Sequence, residues 1–113
     1  LTSATRGMVN KELLAQLPQG SAIINFARGG LINTDELLTA LNAHHISHAV
    51  LDVFEHEPLT ADSKLWQHPD VTILPHISAP TNQYSACEIV ANNIMAFRAT
   101  GRIPKAVDKV NGY

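Results

Sequence analysis

Three short apolar runs in this chain each end in a polar cluster. Ala22-Ile23-Ile24-Asn25-Phe26-Ala27 leads into Arg28-Gly29-Gly30, Ala49-Val50-Leu51 leads into Asp52 and then Glu57, and Val71-Thr72-Ile73-Leu74-Pro75 leads into His76. Runs this short, separated by helix-like stretches, predict parallel strands with helical crossovers. In such a sheet an arginine, a carboxylate and a histidine all emerge at strand C-terminal ends. That is the edge at which open α/β sheets bind ligands. One pattern thus constrains both the fold and the place of any chemistry.

The intervening segments support this reading. Asn10 is a good N-cap for a short helix over residues 11–17, and Pro18 with Gly20 ends it. Ser21 to Ala27 is expected as a strand with both faces covered. Asn33 caps a second helix, with Glu36 placed as in a capping box and Leu37, Leu38 and Leu41 as the buried stripe. His48 to Val53 and Val71 to Leu74 are the other strands; Leu1-Thr2 could end a fourth. A last helix is expected from about Pro80 to Thr100, with Tyr84, Cys87, Ala91, Ile94 and Phe97 on an apolar face and Gly101 as its stop. The fold class is α/β: the C-terminal half of a Rossmann-like doubly wound parallel sheet, ending in a long helix. Few helices are available to cover a three-stranded sheet, so some apolar surface is expected to need a partner.

Composition narrows the function classes. The chain has 113 residues, 45% of them hydrophobic, enough for the core of one small domain or part of a larger one. A net charge of −2 without a basic stripe argues against nucleic-acid binding. No apolar stretch approaches the ~20 residues that span a bilayer, and no signal peptide is evident. The single cysteine, Cys87, allows no internal disulfide and fits a reducing compartment, with cytoplasm the default. On an apolar helix stripe it reads as a buried, inert thiol.

The candidate residues suit a keto acid. An arginine fork matches a carboxylate with two parallel hydrogen bonds, and the two glycines allow a sharp turn. A histidine serves as a general acid near neutral pH, and Glu57 could orient its ring. Taken singly, each has an ordinary structural explanation: a turn with a solvated arginine, a loop glutamate, a structural histidine. Their common edge gives the set its force. His44 and His48 stand four apart but lack an obvious third ligand, so no metal is expected. His45, His56 and His68 read as solvated, and Trp66 as the hydrophobic anchor of the 54–69 loop. No G-x-G-x-x-G or P-loop occurs.

Ile24-Asn25-Phe26-Ala27-Arg28-Gly29-Gly30, Leu51-Asp52-Val53-Phe54-Glu55-His56-Glu57-Pro58 and Leu74-Pro75-His76 resemble the three C-terminal signatures of the D-isomer-specific 2-hydroxyacid dehydrogenases. Arg28 and Glu57 are 29 positions apart, and Glu57 and His76 are 19 apart, as in that family. Thr5-Arg6-Gly7-Met8-Val9-Asn10 resembles the segment ahead of the family's Asn-x-x-x-Leu helix. Residues 65–69 and the ending from Val107 to Tyr113 are most similar to the bacterial glyoxylate/hydroxypyruvate reductase A branch.

The resemblance implies an NAD(P)H-dependent reductase, with NADPH favoured by the branch alone. Arg28 would bind the substrate carboxylate and polarise the keto oxygen. His76 would donate the proton, and Glu57 would hold His76 protonated. Ala27, Arg28, Asp52 and His76 would line the cofactor, with Asp52 on the nicotinamide carboxamide. The implied partners are a small 2-keto acid and, for the complete protein, a second copy in a homodimer. The alternatives are a non-catalytic structural or dimerising module and a phosphoglycerate dehydrogenase-like member.

Three departures stand out. Ser78-Ala79-Pro80-Thr81 replaces the Gly-Gly that many members carry after the histidine, Asn82 stands where the reductase branch has an arginine, and His44-His45 replaces a glycine-containing turn. The family's glycine-rich loop and substrate domain are not in the sequence, which opens on Leu1. Residues 1–113 are therefore expected to be the C-terminal part of an NAD(P)-binding domain, inactive alone.

Overall fold

The computed structural model describes residues 1–104 and 106–110. The chain divides into two compact units, residues 1–78 and 79–113.

The first unit carries the sheet. Helix α1 (Lys11–Gln16) begins at Asn10, whose side chain accepts the Leu13 N–H at 3.0 Å. Strand β1 (Ser21–Asn25) follows, then a 3₁₀ turn at Gly29–Leu31, helix α2 (Thr34–Asn42), strand β2 (Ile46–Leu51), a second 3₁₀ turn at Lys64–Gln67 and strand β3 (Val71–Ile73). The strands are parallel in the order β1-β2-β3, with Asn25 opposite Leu51 and Leu51 opposite Ile73. All three strands therefore end in one row. At the usual spacing of about 4.8 Å per strand the row is only ~10 Å wide. Leu1-Thr2 forms no strand; the turn over residues 3–7 leads instead to a single parallel bridge between Val9 and Ile32.

Leu37, Leu38 and Leu41 of α2 are buried as expected, with Leu14, Ile32, Ile46, Ala49, Leu51 and Leu65 in the same core. Each such leucine contributes about 1.5–3 kcal/mol by leaving water. The capping box at Asn33 forms only in half. Its Oδ1 accepts the Glu36 N–H at 3.2 Å, but the Glu36 carboxylate accepts the Lys11 N–H at 2.6 Å and so ties α2 to α1. The helices of this unit cover one sheet face. Ile23 packs on the core, whereas Ala22 is exposed and Ile24 is 66% exposed, so β1 is not covered on both faces as its apolar run predicts.

Two histidines expected in solvent are engaged. The half-buried His45 lies 3.0 Å through Nε2 from the Leu14 carbonyl, which requires the proton on Nε2. The half-buried His68 accepts the Asp70 N–H on Nδ1. His48 meets the Thr72 hydroxyl from β2, while His44 sits beyond α2 at φ +52°. Among the described residues no three His, Cys, Asp or Glu side chains cluster for a metal.

The second unit is dominated by helix α3 (Gln83–Thr100). It starts later than Pro80 because the Asn82 side chain accepts the Tyr84 and Ser85 N–H groups, a stronger start signal than the proline. Gly101, at φ +67°, ends it as expected. Cys87 is exposed rather than buried, and so are Ile94 and Phe97 of the same stripe. A single helix has no second element within its own unit to bury such a stripe. Among the described residues no helix is long and apolar enough to cross a membrane. The expected extended tail falls partly outside the described residues, as do Asn111, Gly112 and Tyr113 of the family-like ending.

Candidate active site

The row of strand ends is built from the backbone upward. Asn25 is buried where β1 stops, and its side chain works in both directions. Nδ2 donates to the Arg28 carbonyl at 3.0 Å and Oδ1 accepts the Ala27 N–H at 3.1 Å. The Asn25 carbonyl accepts the Asp52 N–H at 3.0 Å, tying the first strand end to the second. Arg28 is thus held at the start of the glycine turn by a residue inside the apolar run. Sequence reading passed over Asn25 because a polar residue at a strand end has many ordinary explanations.

Gly29 brings this turn against the middle loop. A Cβ there would lie 1.9 Å from the Phe54 carbonyl carbon and 2.2 Å from its oxygen. Only glycine permits that approach. Phe54 in turn donates its N–H to Glu57 Oε1 at 2.8 Å, so the glycine turn abuts the loop that presents the glutamate. The Glu57–Pro58 peptide is cis.

Glu57 and His76 meet as predicted. Nδ1 of His76 is 2.8 Å from Glu57 Oε2, and since the carboxylate can only accept, Nδ1 carries the proton. Nε2 is left for other partners. Both side chains are partly exposed, so the pair adds little to stability and its main effect is to orient the ring. The Phe54 N–H, then the His76 hydrogen bond, hold the Glu57 carboxyl below its ordinary pKa against partial burial; the charges of His76 and Arg28 add to this.

Arg28, Glu57 and His76 line one cleft of about 250 Å³ with Gly29, Gly30, Val53 and Phe54. The guanidinium is exposed, and its Nη1 donates to the Ala27 carbonyl at 2.7 Å. The rest of the fork is available for an anion. Arg6, which sequence reading did not single out, enters the same cleft and pairs with Glu55 at 3.1 Å. It arrives there because Gly7 donates to the Gly30 carbonyl at 2.8 Å. The only signal in the sequence was its place in the Thr5-Arg6-Gly7 segment.

Asp52 ends up elsewhere in kind. It is 1% exposed, and its two oxygens accept the N–H groups of Ile77 and Ser78, each at 2.9 Å. Burial pushes its carboxyl up. The bonds from Ser78 and Ile77, with the Ser78 hydroxyl and the nearby His76, outweigh this and leave it below the ordinary value.

Trp66 also differs from expectation. It is 52% exposed, and it fastens the loop through its indole N–H to the Thr60 carbonyl at 2.9 Å, while Leu65 beside it is the buried anchor.

Residues 1–78 match the model of the D-isomer specific 2-hydroxyacid dehydrogenase NAD binding domain. The chain belongs to the D-isomer-specific 2-hydroxyacid dehydrogenases. A crystal structure of a member from Xanthobacter autotrophicus Py2, in complex with NADPH and MES, is 40% identical with a TM-score of 0.90, covering 100% of this chain and 47% of that one. The NADPH-dependent glyoxylate/hydroxypyruvate reductase of Sinorhizobium meliloti, with NADP and sulfate, is 36% identical with a TM-score of 0.87, covering 100% and 37%. The phosphoglycerate dehydrogenase of Lactobacillus plantarum is 40% identical with a TM-score of 0.70, covering 93% and 34%. The chain thus spans less than half the length of these relatives.

Proposed function

We propose that this chain supplies the proton-donor edge of a nicotinamide-dependent reductase of small 2-keto acids, of the glyoxylate/hydroxypyruvate type. The observation that carries the reading is the 2.8 Å His76–Glu57 contact in one cleft with Arg28. Arg28 grips the substrate carboxylate with its fork and places positive charge beside the keto oxygen. His76 gives that oxygen the Nε2 proton, and Glu57 holds the ring by Nδ1. A nicotinamide, when bound, supplies the hydride to the keto carbon. Hydride and proton together convert the 2-keto acid to a D-2-hydroxy acid.

The donor set here fits the nicotinamide end of such a cofactor. Ala27, Arg28, Asp52 and His76 follow adjacent strand ends, and the Asp52 carboxylate has the acceptor chemistry that a carboxamide NH₂ needs. No G-x-G-x-x-G occurs in these residues, so the phosphates would be held by other sequence. The Sinorhizobium relative supports glyoxylate or hydroxypyruvate as the substrate. The chain is read as the C-terminal half of the cofactor domain, inactive alone, with the complete protein a cytoplasmic homodimer.

The test is NADPH oxidation with glyoxylate, hydroxypyruvate and phosphohydroxypyruvate, run on the complete protein and on residues 1–113. Turnover of the first two by the complete protein only, lost in His76→Ala, is the expected result. Preference for the phosphorylated substrate would transfer the reading to a phosphoglycerate dehydrogenase. No turnover of any would overturn it.

A further inference from the structure

We infer that Asp52 is a positioning residue for His76, acting through the backbone of the turn that follows the histidine. This rests on the reading of His76 as the proton donor. His76 adopts φ +58°, the left-handed region that few residues other than glycine occupy and that costs on the order of 1 kcal/mol or more to hold. A residue held there needs its surroundings to over-determine it. The next two residues, Ile77 and Ser78, both direct their N–H groups to one carboxylate, Asp52, at 2.9 Å each. Successive N–H groups following a left-handed residue form a concavity that suits an anion, and Asp52 is an anion built into the fold.

The anchor is firm at its other end. Asp52 directly follows β2, donates its own N–H to the Asn25 carbonyl at 3.0 Å, and is 1% exposed. Ile77, by contrast, is 66% exposed and Ser78 is exposed, so burial of their side chains does not fix the turn. The ring of His76 is held at Nδ1 by Glu57 on a separate loop. The histidine is therefore fixed at two points: its ring by Glu57 and its backbone by Asp52. Here the Ile77 N–H goes to Oδ1 and the Ser78 N–H to Oδ2, one donor on each oxygen. An asparagine supplies one oxygen and turns an NH₂ against the second donor.

The experiment compares wild type, Asp52→Asn and Asp52→Ala in the complete protein by amide and imidazole NMR, nucleotide titration and steady-state kinetics. In wild type the Ile77 and Ser78 amide protons should lie downfield and exchange slowly although both residues are exposed. This arm needs no variant to fold, and random-coil shifts with fast exchange would overturn the proposal. In Asp52→Asn one of the two amides should move upfield and the His76 ring signals should shift. The value of kcat should fall about 10²-fold, as misplacing a reacting group by ~1 Å does. Asp52→Ala should release both amides. A raised nucleotide Kd with unmoved His76 signals would assign Asp52 to cofactor contact alone and overturn the positioning role. Wild-type protein that reduces no 2-keto acid, with both amides still clamped, would instead overturn the reading of the site and the catalytic meaning of Asp52 with it.

Discussion

Gly29→Ala tests how the two halves of the site are held together. The added Cβ would sit 1.9 Å from the Phe54 carbonyl carbon, against the 3.4 Å at which ordinary contact begins, a shortfall of about 1.5 Å. The atoms in the way are backbone, so no rotamer change relieves the clash. Either the glycine turn or the 52–58 loop must retreat. Overpacking of this kind costs about 1–3 kcal/mol. The Phe54 N–H holds Glu57 Oε1, so a retreating loop carries the glutamate away from His76. Misplacement by ~1 Å costs on the order of 10²-fold in rate. Chemical denaturation should show the loss of stability, and amide NMR should place the largest shifts at Arg28, Phe54 and Glu57. In the complete reductase kcat should fall by about two orders of magnitude. A variant within 0.5 kcal/mol of wild type (roughly the scatter of neutral surface changes) with unmoved Phe54 and Glu57 amides would refute the close approach and the coupling drawn from it.

Three further outcomes are expected. Arg28→Ala should raise KM for the keto acid and lower kcat/KM by roughly 10- to 10²-fold for each charge-assisted hydrogen bond lost, at about 1.5–3 kcal/mol per bond; unchanged kinetics would remove Arg28 from the site. Leu41, with no exposed surface, should cost about 2–5 kcal/mol when cut to alanine, read by urea denaturation, whereas a loss below 1 kcal/mol would contradict its place in the core. Glu57 and Asp52 both have lowered carboxyl pKa values in the folded chain. Their stabilisation is therefore complete above the ordinary carboxyl range of about 4 and is lost as pH falls through the lowered folded values. Melting temperatures taken from pH 7 to pH 2 should fall less steeply in Glu57→Gln, and identical profiles would refute the Glu57 contribution.

Asn25, Arg6 and His45, whose roles the sequence leaves illegible, each have at least one partner distant in the chain. Asn25 is an unremarkable polar residue until β1 and β2 pair and its carbonyl meets Asp52. Arg6 reaches the cleft only because Gly7 bridges to Gly30. His45 looks like a loop residue until its ring meets the Leu14 carbonyl of α1, 31 residues away in sequence.

What the sequence alone determined is local chemistry and order. The apolar runs, the Asn10 and Asn33 caps, the Leu37, Leu38 and Leu41 stripe and the stop at Gly101 follow from propensity and periodicity, which act over a few residues. Parallel strands then place Arg28, Glu57 and His76 on one edge by topology. Tertiary structure decided which atoms meet. It paired His76 with Glu57 through Nδ1, turned the Asp52 carboxylate toward the Ile77 and Ser78 amides, and left one face of β1 and the stripe of α3 exposed. Hydrogen-bond geometry is set to within tenths of an ångström by contacts between segments far apart in sequence, and no local pattern encodes it.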